Sequence, residues 1–347
     1  MKTFSTFVLG CQQNEHDGVR ISYLLKTLGF SEAVDTRADL VIVVACSVRQ
    51  TAVDRIFGIV RNHPKSKIVV TGCVLDSDKK KLAKKDVVFW NIEEPEKISG
   101  IIGLSGNKEV NRILKKGGQL SNAVPIMYGC NNFCTYCATA ITRGRERSRK
   151  MSAIINDVKK LIKNDNKDIL LLGQTINSYR DPETGARLDD LFIHLNNLEG
   201  EFIISFLSNH PKDMSDEIIN AVAKLPKIKK EIHLPVQSGS DKILRAMNRP
   251  YTVKQYLTII DKIRHAAVKH QTKIAITTDV IVGFPGETES DFLKTVDLFK
   301  KVKFDLAYVN KYSMRPQTAA CKLGDPIEWK EKQRRWRILD DIVNKKD

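Results

Sequence analysis

The chain has 347 residues and a formal net charge of +16, because 57 lysines and arginines outnumber 41 aspartates and glutamates. This length suffices for two domains, and a hydrophobic content of 42% is ordinary for a protein that buries a core. No apolar run is long enough to span a membrane and no secretory signal precedes the first strand, so we expect a cytoplasmic protein without a membrane partner. The positive charge favours a polyanionic partner such as nucleic acid, the alternative being lysines that only face solvent.

The first third of the chain alternates short apolar runs with stretches of helical periodicity. Helical spacing of apolar residues predicts helices over Glu15–Leu28 and from about residue 50 to 62. Apolar, partly β-branched runs predict strands at Phe4–Leu9, Leu40–Val44, Lys67–Thr71 and Val87–Trp90. This alternation indicates an α/β fold with a small, doubly wound parallel sheet, which we place in an N-terminal domain over residues 1–105.

A cysteine follows each of the first three predicted strands, namely Cys11, Cys46 and Cys73. Ligand sites in open parallel sheets lie at the carboxyl ends of the strands, so these thiols are expected to converge on one point. One interpretation is a metal cluster held by three thiolates. The other is three unrelated buried cysteines, since free cysteine packs as a small hydrophobe. Seven cysteines in a reducing compartment favour metal or catalytic use over disulfides.

A polar segment over residues 106–123, with Ser-Gly-Asn across its start and Lys-Lys-Gly-Gly within it, predicts a linker. A new βα alternation then begins. We predict helices at Met151–Asn164, Ser215–Leu225, Val253–His270 and Ser290–Val302. We predict strands at Val124–Tyr128, Ile169–Leu172, Phe202–Leu207, Glu231–Val236, Ile274–Val282 and Leu306–Lys311. This pattern indicates a partial (β/α)6 barrel over residues 124–325, followed by a charged helix over 326–347.

The loop after the first predicted barrel strand carries Cys130, Cys134 and Cys137 at a C-x3-C-x2-C spacing. A structural zinc site and a closed [4Fe–4S] site each use four ligands, and no fourth cysteine is nearby. Three thiolates on a four-iron cube leave one iron open for a substrate or cofactor. The spacing is similar to that of the radical S-adenosylmethionine (SAM) enzymes, the alternative being a zinc knuckle completed by a distant residue.

Longer motifs occur in order along the chain and resemble the methylthiotransferase family from about residue 3 to residue 340. These are Gly10–Glu15, Cys46–Arg49, Gly72-Cys73, the three-cysteine loop, Thr142–Arg149, His233–Ser240, Ala246–Arg249 and Asp279–Glu287. Three of them, Gln-Gln-Asn-Glu, Cys-Ser-Val-Arg and Ala-Met-Asn-Arg, are similar to the MiaB-like branch. Its members are tRNA-2-methylthio-N6-dimethylallyladenosine synthases, which modify the adenosine beside the anticodon.

The resemblance implies an enzyme that inserts sulfur at C2 of N6-isopentenyladenosine by radical chemistry and methylates it with a second SAM. It implies that Cys130, Cys134 and Cys137 hold a [4Fe–4S] cluster whose open iron binds SAM, which is cleaved to a 5′-deoxyadenosyl radical. A second [4Fe–4S] cluster would be held by Cys11, Cys46 and Cys73 and would present the sulfur. Implied partners are the anticodon region of tRNA and an electron donor such as flavodoxin or ferredoxin, with a monomeric enzyme.

Other hypotheses stay open beside this one. Related branches of the family act on threonylcarbamoyl-adenosine in tRNA or on a ribosomal protein. A different class is a non-catalytic iron–sulfur or zinc protein that binds RNA. The intact cysteine triplets argue against that class, because RNA binding needs positive charge rather than incomplete clusters.

Candidate SAM contacts lie in turns after the predicted barrel strands. They are Gly173, Gln174, Gln237, Ser238, Gly283 and Gly286. In each case a tight βα turn is the alternative interpretation of the glycine. The basic run of Arg143, Arg145, Arg147 and Arg149 is expected to meet tRNA phosphates or the SAM carboxylate, or else to form a solvated turn.

The chain departs from the family pattern in a few places. The small β-barrel RNA-binding module called TRAM, which usually follows the radical SAM domain, is apparently lacking. The family commonly has Asn-Thr where this chain has Val44-Ala45, and Ala-Gln where it has Leu75-Asp76. An arginine is common at the position of Ser205. None of these departures removes a cysteine, so they put the surroundings of the N-terminal triplet in doubt rather than the triplet itself.

Overall fold

The computed structural model describes residues 2–33, 38–85, 87–94, 96–102, 107–117 and 121–345. The chain divides into two compact units. The N-terminal unit comprises Met1–Val124 with the short segments Ile141–Arg143 and Arg315–Gln317. The barrel unit comprises Pro125–Ala140, Gly144–Met314 and Thr318–Asp347.

The N-terminal unit is built from alternating strands and helices. Its strands are β1 (Thr3–Val8), β2 (Ser31–Glu32), β3 (Leu40–Cys46), β4 (Lys67–Cys73) and β5 (Val87–Phe89). Its helices are α1 (Gln12–Thr27), α2 (Gln50–Asn62), α3 (Asp76–Leu82), α4 (Glu96–Ile102) and α5 (Asn107–Gly117), with a 3₁₀ turn at Ala83–Lys85. The four predicted strands are confirmed, whereas the two-residue β2 is too short to produce a sequence pattern.

These strands form one parallel sheet in the order β2-β1-β3-β4-β5. The order reverses at β1, so the sheet is doubly wound, and the topological switch point lies between β1 and β3. Ligands of such sheets bind beyond the carboxyl ends of the strands at this point. The predicted fold class is confirmed for this unit.

Strand β3 is buried on both faces of the sheet. Leu40, Ile42 and Val44 belong to one apolar cluster, with helices α1, α4 and α5. The alternate residues Val41 and Val43 belong to the other, with α2 and α3. The two-residue period of the strand sends successive side chains to opposite faces, and burying each contributes roughly 1.5–3 kcal/mol. The strand is therefore the centre of this unit and holds its carboxyl end in a fixed place.

The prediction of a linker over residues 106–123 is wrong for residues 107–117, which form α5. Val110, Ile113 and Leu114 are buried in the same apolar cluster as Leu24 of α1. Their i, i+3, i+4 spacing gives the helix an apolar stripe, which the generally polar composition of the segment conceals. The prediction for residue 106 and for residues 118–120 lies outside the described residues.

The barrel unit contains the remaining strands and helices, apart from Ala123, Val124, Ile141 and Thr142, which belong to the N-terminal unit. Its strands are β6 (Ala123–Pro125), β7 (Met127–Tyr128), β8 (Arg147–Ser148), β9 (Asp168–Leu172), β10 (Ile203–Phe206), β11 (Glu231–His233), β12 (Ala275–Val282) and β13 (Leu306–Lys311). Its helices are α6 (Thr139–Thr142), α7 (Met151–Lys163), α8 (Leu188–Asn196), α9 (Asp216–Lys224), α10 (Asp241–Ala246), α11 (Val253–Lys269), α12 (Glu289–Val302) and α13 (Trp329–Val343). There are 3₁₀ turns at Ile176–Ser178, Pro211–Asp213 and Ala319–Leu323.

The barrel strands form two three-stranded sheets, in the orders β10-β9-β6 and β11-β12-β13. The pairs β9–β10, β11–β12 and β12–β13 are parallel, as expected for a partial (β/α)6 barrel. Two predicted strands differ in detail. Val124–Tyr128 is interrupted at Ile126, and its second half, β7, pairs antiparallel with β8. The strand predicted over Glu231–Val236 ends at His233, and only an isolated bridge between Gln237 and Val280 continues the pairing.

The predicted C-terminal helix is present as α13 and belongs to the barrel unit. Leu339 and Val343 are buried, and the Trp336 Nε1–H donates to the Val309 carbonyl oxygen at 2.8 Å. The helix therefore packs against β13 as part of the core rather than forming a separate element. Within the described part of the chain, no helix is both long and apolar enough to cross a membrane.

Candidate functional site

Cys11, Cys46 and Cys73 lie at the carboxyl ends of three neighbouring strands. Cys11 is the N-cap residue of α1 just beyond β1, while Cys46 and Cys73 end β3 and β4. The Cα atoms of Cys46 and Cys73 are register partners in the sheet. All three are free cysteines, and their exposure falls from Cys11, which is exposed, to Cys73, which is buried. The strand-end placement predicted from the sequence is therefore present.

Glycines allow these strand ends to come close together. Gly10 has a φ of +121°, and a Cβ built on it would lie 2.7 Å from Cys46 Cβ. Gly72 has a φ of +88°, and its Cβ would lie 2.7 Å from the Ala45 carbonyl oxygen. A side chain at either position would be strained and would push the loops apart. Both glycines thus serve the close approach of the cysteine-bearing loops.

The thiols of this triplet influence one another electrostatically. Burial raises the pKa of Cys46 and Cys73, and the charges of the neighbouring triplet cysteines raise both further. Three thiolates are therefore costly here unless a positive centre is bound between them. The Arg143 guanidinium acts in the opposite direction and lowers the pKa of Cys73. This donor set fits an iron–sulfur cluster, whose ligands are thiolates.

Arg143 belongs to the N-terminal unit and points at the buried member of the triplet. Its Nε–H donates to Cys73 Sγ at 2.8 Å, and its Nη2 donates to Asn14 Oδ1 at 2.8 Å. The Asn14 Nδ2 in turn donates to the carbonyl oxygens of Leu9 at 2.6 Å and Ala45 at 2.9 Å. The prediction that Arg143 meets a phosphate or the SAM carboxylate did not anticipate these partners.

A second arginine of the N-terminal unit, Arg315, is buried and was not predicted as a site residue. Its side chain is 1% exposed and pairs with Asp78 at 2.5 Å. Its Nε–H donates to the Ser47 carbonyl oxygen at 2.8 Å, and its Nη1 donates to Gln50. It therefore fixes the turn that follows Cys46. Its sequence context, an irregular segment after β13, offers no pattern that reveals this role.

The second triplet lies on the loop that follows β7 in the barrel unit. Both the backbone N–H and the Nδ2 of Asn132 donate to Cys130 Sγ at 3.4 Å. The backbone N–H of Thr139 donates to Cys137 Sγ at 3.4 Å, and Arg249 Nη1 donates to Cys134 Sγ at 3.5 Å. Every sulfur thus has an N–H donor, which suits thiolate ligands. Arg249 was not predicted as a site residue, although its motif was noted.

The loop is held in shape by the segment after α10. Asn248 Nδ2 donates to the Phe133 carbonyl oxygen at 3.0 Å, and the Thr135 N–H donates to the Met247 carbonyl oxygen at 3.0 Å. Thr135 Oγ1 donates to the Ala246 carbonyl oxygen at 2.8 Å. The Ala246–Arg249 motif therefore positions the backbone of the cysteine loop and, through Arg249, one of its sulfurs.

Burial raises the pKa of the Cys137 thiol to about 11, and the charges of Cys134 and Cys130 add to the increase. The second triplet therefore shares the electrostatic character of the first. Within the described residues, no three Cys, His, Asp or Glu side chains are arranged to hold a single metal ion. A four-iron cube differs from a single ion because each thiolate binds a different iron, so the cysteine sulfurs that hold it lie further apart.

Buried polar atoms without a hydrogen-bond partner gather after three successive barrel strands. They are Gln174 Oε1 after β9, Asn209 Oδ1 and His210 Nε2 after β10, and Gln237 Oε1 after β11. A buried polar atom without a partner is costly, and several at one end of a barrel indicate a place for a polar ligand. Gln174 and Gln237 were predicted as SAM contacts, whereas Asn209 and His210 were not.

The two histidines after these strands differ in their surroundings. His210 Nδ1 accepts from the Lys212 N–H at 3.2 Å, and burial together with the positive charges of Arg249 and Lys212 lowers its pKa to about 2. His210 is therefore neutral at physiological pH, with its proton on Nε2. His233 is engaged through both ring nitrogens, with Thr277 Oγ1 at 3.0 Å and Asp279 Oδ2 at 3.1 Å. Its contacts are those of a structural residue.

The remaining predicted SAM contacts have structural explanations of their own. Gly173 leaves no room for a side chain, since its Cβ would lie 2.7 Å from Met127 Cγ. Ser238 is fully buried and its Oγ accepts from the Ser240 N–H at 3.2 Å. Gly283 and Gly286 have φ angles of +71° and +85°, which favour glycine. Contact of these residues with SAM stays a prediction.

Glu287 anchors the turn that contains both of these glycines. Its Oε2 accepts from the Gly283 N–H at 2.6 Å and from Arg335 Nη1 at 2.7 Å, and the side chain is buried. Burial raises the pKa of this carboxyl group. The hydrogen bond from Gly283 and the charge of Arg335 lower it, but by less than burial raises it. These contacts make Glu287 a buried polar anchor of the turn.

Only part of the basic run faces solvent. Arg149 donates to the Pro125 carbonyl oxygen at 2.6 Å and pairs with Asp157 at 2.7 Å, so it has a structural role. Arg145 and Arg147 are exposed, and the Arg145 guanidinium lies 4.3 Å from the centre of the Phe133 ring. Phosphate binding remains a prediction for these two residues.

Comparison with known proteins gives a consistent assignment. Residues 124–299 match the radical SAM superfamily, and residues 3–91 match the uncharacterized protein family UPF0004. The chain is 40% identical to the tRNA-2-methylthio-N(6)-dimethylallyladenosine synthase of Thermoanaerobacter pseudethanolicus, over 97% of this chain and 76% of that protein. It is 36% identical to the synthase of the same name from Clostridium tetani, over 99% of this chain and 81% of that protein.

Solved structures with a similar fold are radical SAM proteins. The methyltransferase TsrM from Kitasatospora setae superimposes with a TM-score of 0.58 at 11% identity, covering 92% of this chain and 74% of TsrM. The cobalamin-dependent S-adenosylmethionine radical enzyme OxsB gives 0.56 at 12% identity, covering 99% of this chain and 55% of OxsB. At these identities the likeness concerns the fold alone.

The barrel, its three-cysteine loop and the superfamily match define a radical SAM enzyme, a class that carries a [4Fe–4S] cluster and SAM. Within this class the relatives share more than a third of their residues with the chain over nearly its whole length. The chain belongs to the methylthiotransferase family of tRNA-2-methylthio-N(6)-dimethylallyladenosine synthases.

Proposed function

We propose that this enzyme inserts sulfur at C2 of N6-isopentenyladenosine beside the anticodon of tRNA and methylates that sulfur with SAM. The observation that carries the proposal is a pair of three-cysteine groups, one in each unit, both following strands of an α/β fold. Two sites with an open iron are what sulfur insertion by a radical enzyme requires. The names of the relatives support the choice of this modified adenosine.

Cys130, Cys134 and Cys137 hold one [4Fe–4S] cluster, and Cys11, Cys46 and Cys73 hold a second. When bound, these clusters and SAM supply one-electron chemistry, the sulfur atom and the methyl group. The N–H donors on Cys130, Cys134 and Cys137 stabilise the thiolate form of these ligands. The absence of a fourth cysteine in either group leaves one position open for SAM or for the sulfur to be transferred.

The unpartnered polar atoms after β9, β10 and β11 bind SAM. Gln174, Asn209 and Gln237 each offer a buried carbonyl oxygen, and neutral His210 offers an Nε2–H donor. SAM presents complementary groups, since its ammonium and adenine amino groups donate while its ribose hydroxyls and adenine nitrogens accept. The turns that carry or adjoin these contact residues include Gly173, Ser238, Gly283 and Gly286.

The macromolecular partners follow from charge and redox chemistry. The net charge of +16 and the exposed Arg145 and Arg147 favour the tRNA backbone. The seven free cysteines favour a reducing compartment, which supports the cytoplasm. A small electron-transfer protein such as flavodoxin or ferredoxin reduces the clusters, and the enzyme acts as a monomer.

The test is anaerobic reconstitution followed by reaction with SAM, a reductant and tRNA that contains isopentenyladenosine. We expect about eight irons per chain and a methylthio mass increment on that nucleoside, measured by mass spectrometry after digestion. Replacement of either Cys11 or Cys130 by alanine abolishes the product and removes iron from one cluster. Formation of 5′-deoxyadenosine with an unchanged nucleoside would contradict the substrate, and threonylcarbamoyl-adenosine tRNA and ribosomal protein are then tested in its place. Zinc in place of iron would contradict the assignment of the protein as a radical SAM enzyme.

A further inference from the structure

One half-buried guanidinium forms a hydrogen bond with the N-terminal cysteine triplet. Arg143 donates from Nε to Cys73 Sγ at 2.8 Å, a short distance for a hydrogen bond to sulfur. The side chain is half-buried, and its positive charge has lost part of its water and faces Cys73 and the buried Asp17. Desolvating an arginine is costly, and its hydrogen-bond partners here are a cysteine and an asparagine, so a thiolate at Cys73 would match its charge.

The same guanidinium is connected to the other two ligand loops through Asn14. Asn14 is fully buried and accepts from Arg143 Nη2 at 2.8 Å. Its own Nδ2 donates to the Leu9 carbonyl oxygen, two residues before Cys11, and to the Ala45 carbonyl oxygen, next to Cys46. One arginine and one asparagine thus tie together the segments that carry all three cysteines.

We propose that Arg143 is a positioning residue for the cluster held by Cys11, Cys46 and Cys73. Its guanidinium holds the Cys73 sulfur through an N–H donor and places a positive charge beside the cluster. Hydrogen bonds to sulfur and local charge set the reduction potential of an iron–sulfur cluster, and a positive charge favours the reduced form. Arg143 therefore raises the potential of this cluster relative to that of the same ligand set without it. The inference rests on the proposed ligation by these cysteines.

The geometry distinguishes this role from binding of tRNA or of the SAM carboxylate. Two guanidinium nitrogens of Arg143 are already committed, Nε to Cys73 and Nη2 to Asn14. A phosphate that took over these two donors would leave the Cys73 sulfur without its N–H donor. Arg145, which is exposed, is available to phosphate without such a loss.

The test isolates the cluster of interest in the full-length chain. Replacing Cys130, Cys134 and Cys137 together by alanine leaves one cysteine triplet, and anaerobic reconstitution of this variant is expected to give about four irons. In this background we compare Arg143→Gln, Arg143→Lys and the control Arg55→Gln, an exposed arginine on α2. Iron and sulfide content are measured, and a redox titration followed by electron paramagnetic resonance gives the midpoint potential.

The proposal expects Arg143→Gln to keep the cluster but lower its midpoint potential. Arg143→Lys, which retains a positive donor, should recover part of the shift, and Arg55→Gln should have the potential of the background variant. An unchanged potential in Arg143→Gln overturns the assignment. If Arg143→Gln instead fails to bind iron, iron binding by Arg143→Lys supports the assignment. Loss of iron from both variants overturns the assignment and indicates a role in folding alone. Absence of iron in the background variant itself overturns the ligand set, a result distinguishable from the others.

Discussion

Cys46 and Cys73 are direct neighbours across two parallel strands, with their Cα atoms paired in the register of β3 and β4. Both residues end strands whose preceding side chains are buried in the core of the N-terminal unit. The distance between these two thiols is therefore set by the sheet and not by a flexible loop. A site built on strand ends is held more rigidly than one built on loops alone, which suits ligands of a cluster that must keep one position open.

Gly10→Ala is expected to remove the cluster of the N-terminal triplet while leaving the barrel cluster intact. A Cβ at Gly10 would lie 2.7 Å from Cys46 Cβ, and the φ of +121° is unfavourable for alanine. The iron content should fall from about eight to about four per chain. Gly58→Ala in α2, where a Cβ meets nothing within 4 Å, is the control and should keep all the iron. Equal iron in both variants would show that the loop tolerates the change.

Gln237→Met is expected to weaken SAM binding without weakening the fold. The substitution removes the buried Oε1 that has no partner, so the ligand loses a hydrogen bond of about 1 kcal/mol and its Kd rises about fivefold. The free energy of unfolding without SAM should stay the same or increase, because an unsatisfied polar atom is gone.

Calorimetry on the reconstituted protein measures the affinity of Gln237→Met for SAM, and denaturant titration measures stability. The matched control is Gln271→Met, which is exposed and also has a positive φ, +51° compared with +67° at Gln237. A loss of stability in Gln237→Met without a change in SAM affinity would show that this side chain serves the fold and not the cofactor.

Arg315→Met is expected to destabilise the N-terminal unit by about 3–5 kcal/mol, because it leaves Asp78 buried and unpaired. The two side chains are 1% and 3% exposed, so water cannot replace the lost partner. The double variant Arg315→Met with Asp78→Leu should recover much of this loss, since neither charge remains. Denaturant unfolding of both variants checks the prediction, and a cost below about 1 kcal/mol for the single change would mean that the pair is not buried in solution.

Acid unfolding is expected to depend on Glu331 of α13. Hydrogen bonds from Arg334 and from Arg335, which lie at 2.8 and 2.6 Å, lower the pKa of this carboxyl group to about 2. A lowered pKa in the folded state stabilises the fold above the ordinary value of about 4.3, and this contribution is lost as the pH falls toward 2.

Because Glu331 is partly exposed, solvent screening limits its contribution to about 1 kcal/mol. Glu331→Gln should therefore lower stability at pH 7 and flatten its decline between about pH 4.5 and 2. Glu199→Gln, an exposed carboxylate in the same unit, is the control and should follow the native pH profile. Parallel curves for Glu331→Gln and the native protein would contradict the prediction.

Most strands and helices were predictable because the sequence patterns that determine them are local. Period-two apolar runs such as Leu40–Val44 and period-3.6 runs such as Val253–His270 carry the pattern of their burial within a few residues. The C-x3-C-x2-C loop is equally local, since its three cysteines lie within eight consecutive residues. The sequence by itself therefore determined the α/β class, most of the order of elements and the strand-end placement of the N-terminal cysteines.

Only the tertiary structure decided which side chains surround those cysteines. Arg143 contacts Cys73 from 70 positions away, and Arg315 contacts Ser47 from 268 positions away. Helix α5, mistaken for a linker, has Val110, Ile113 and Leu114 at helical spacing, and the apolar cluster that receives them shows that this stripe is buried. Such partners are chosen by packing and by the need to satisfy buried charge, which depend on the whole fold, and no local periodicity or spacing records them.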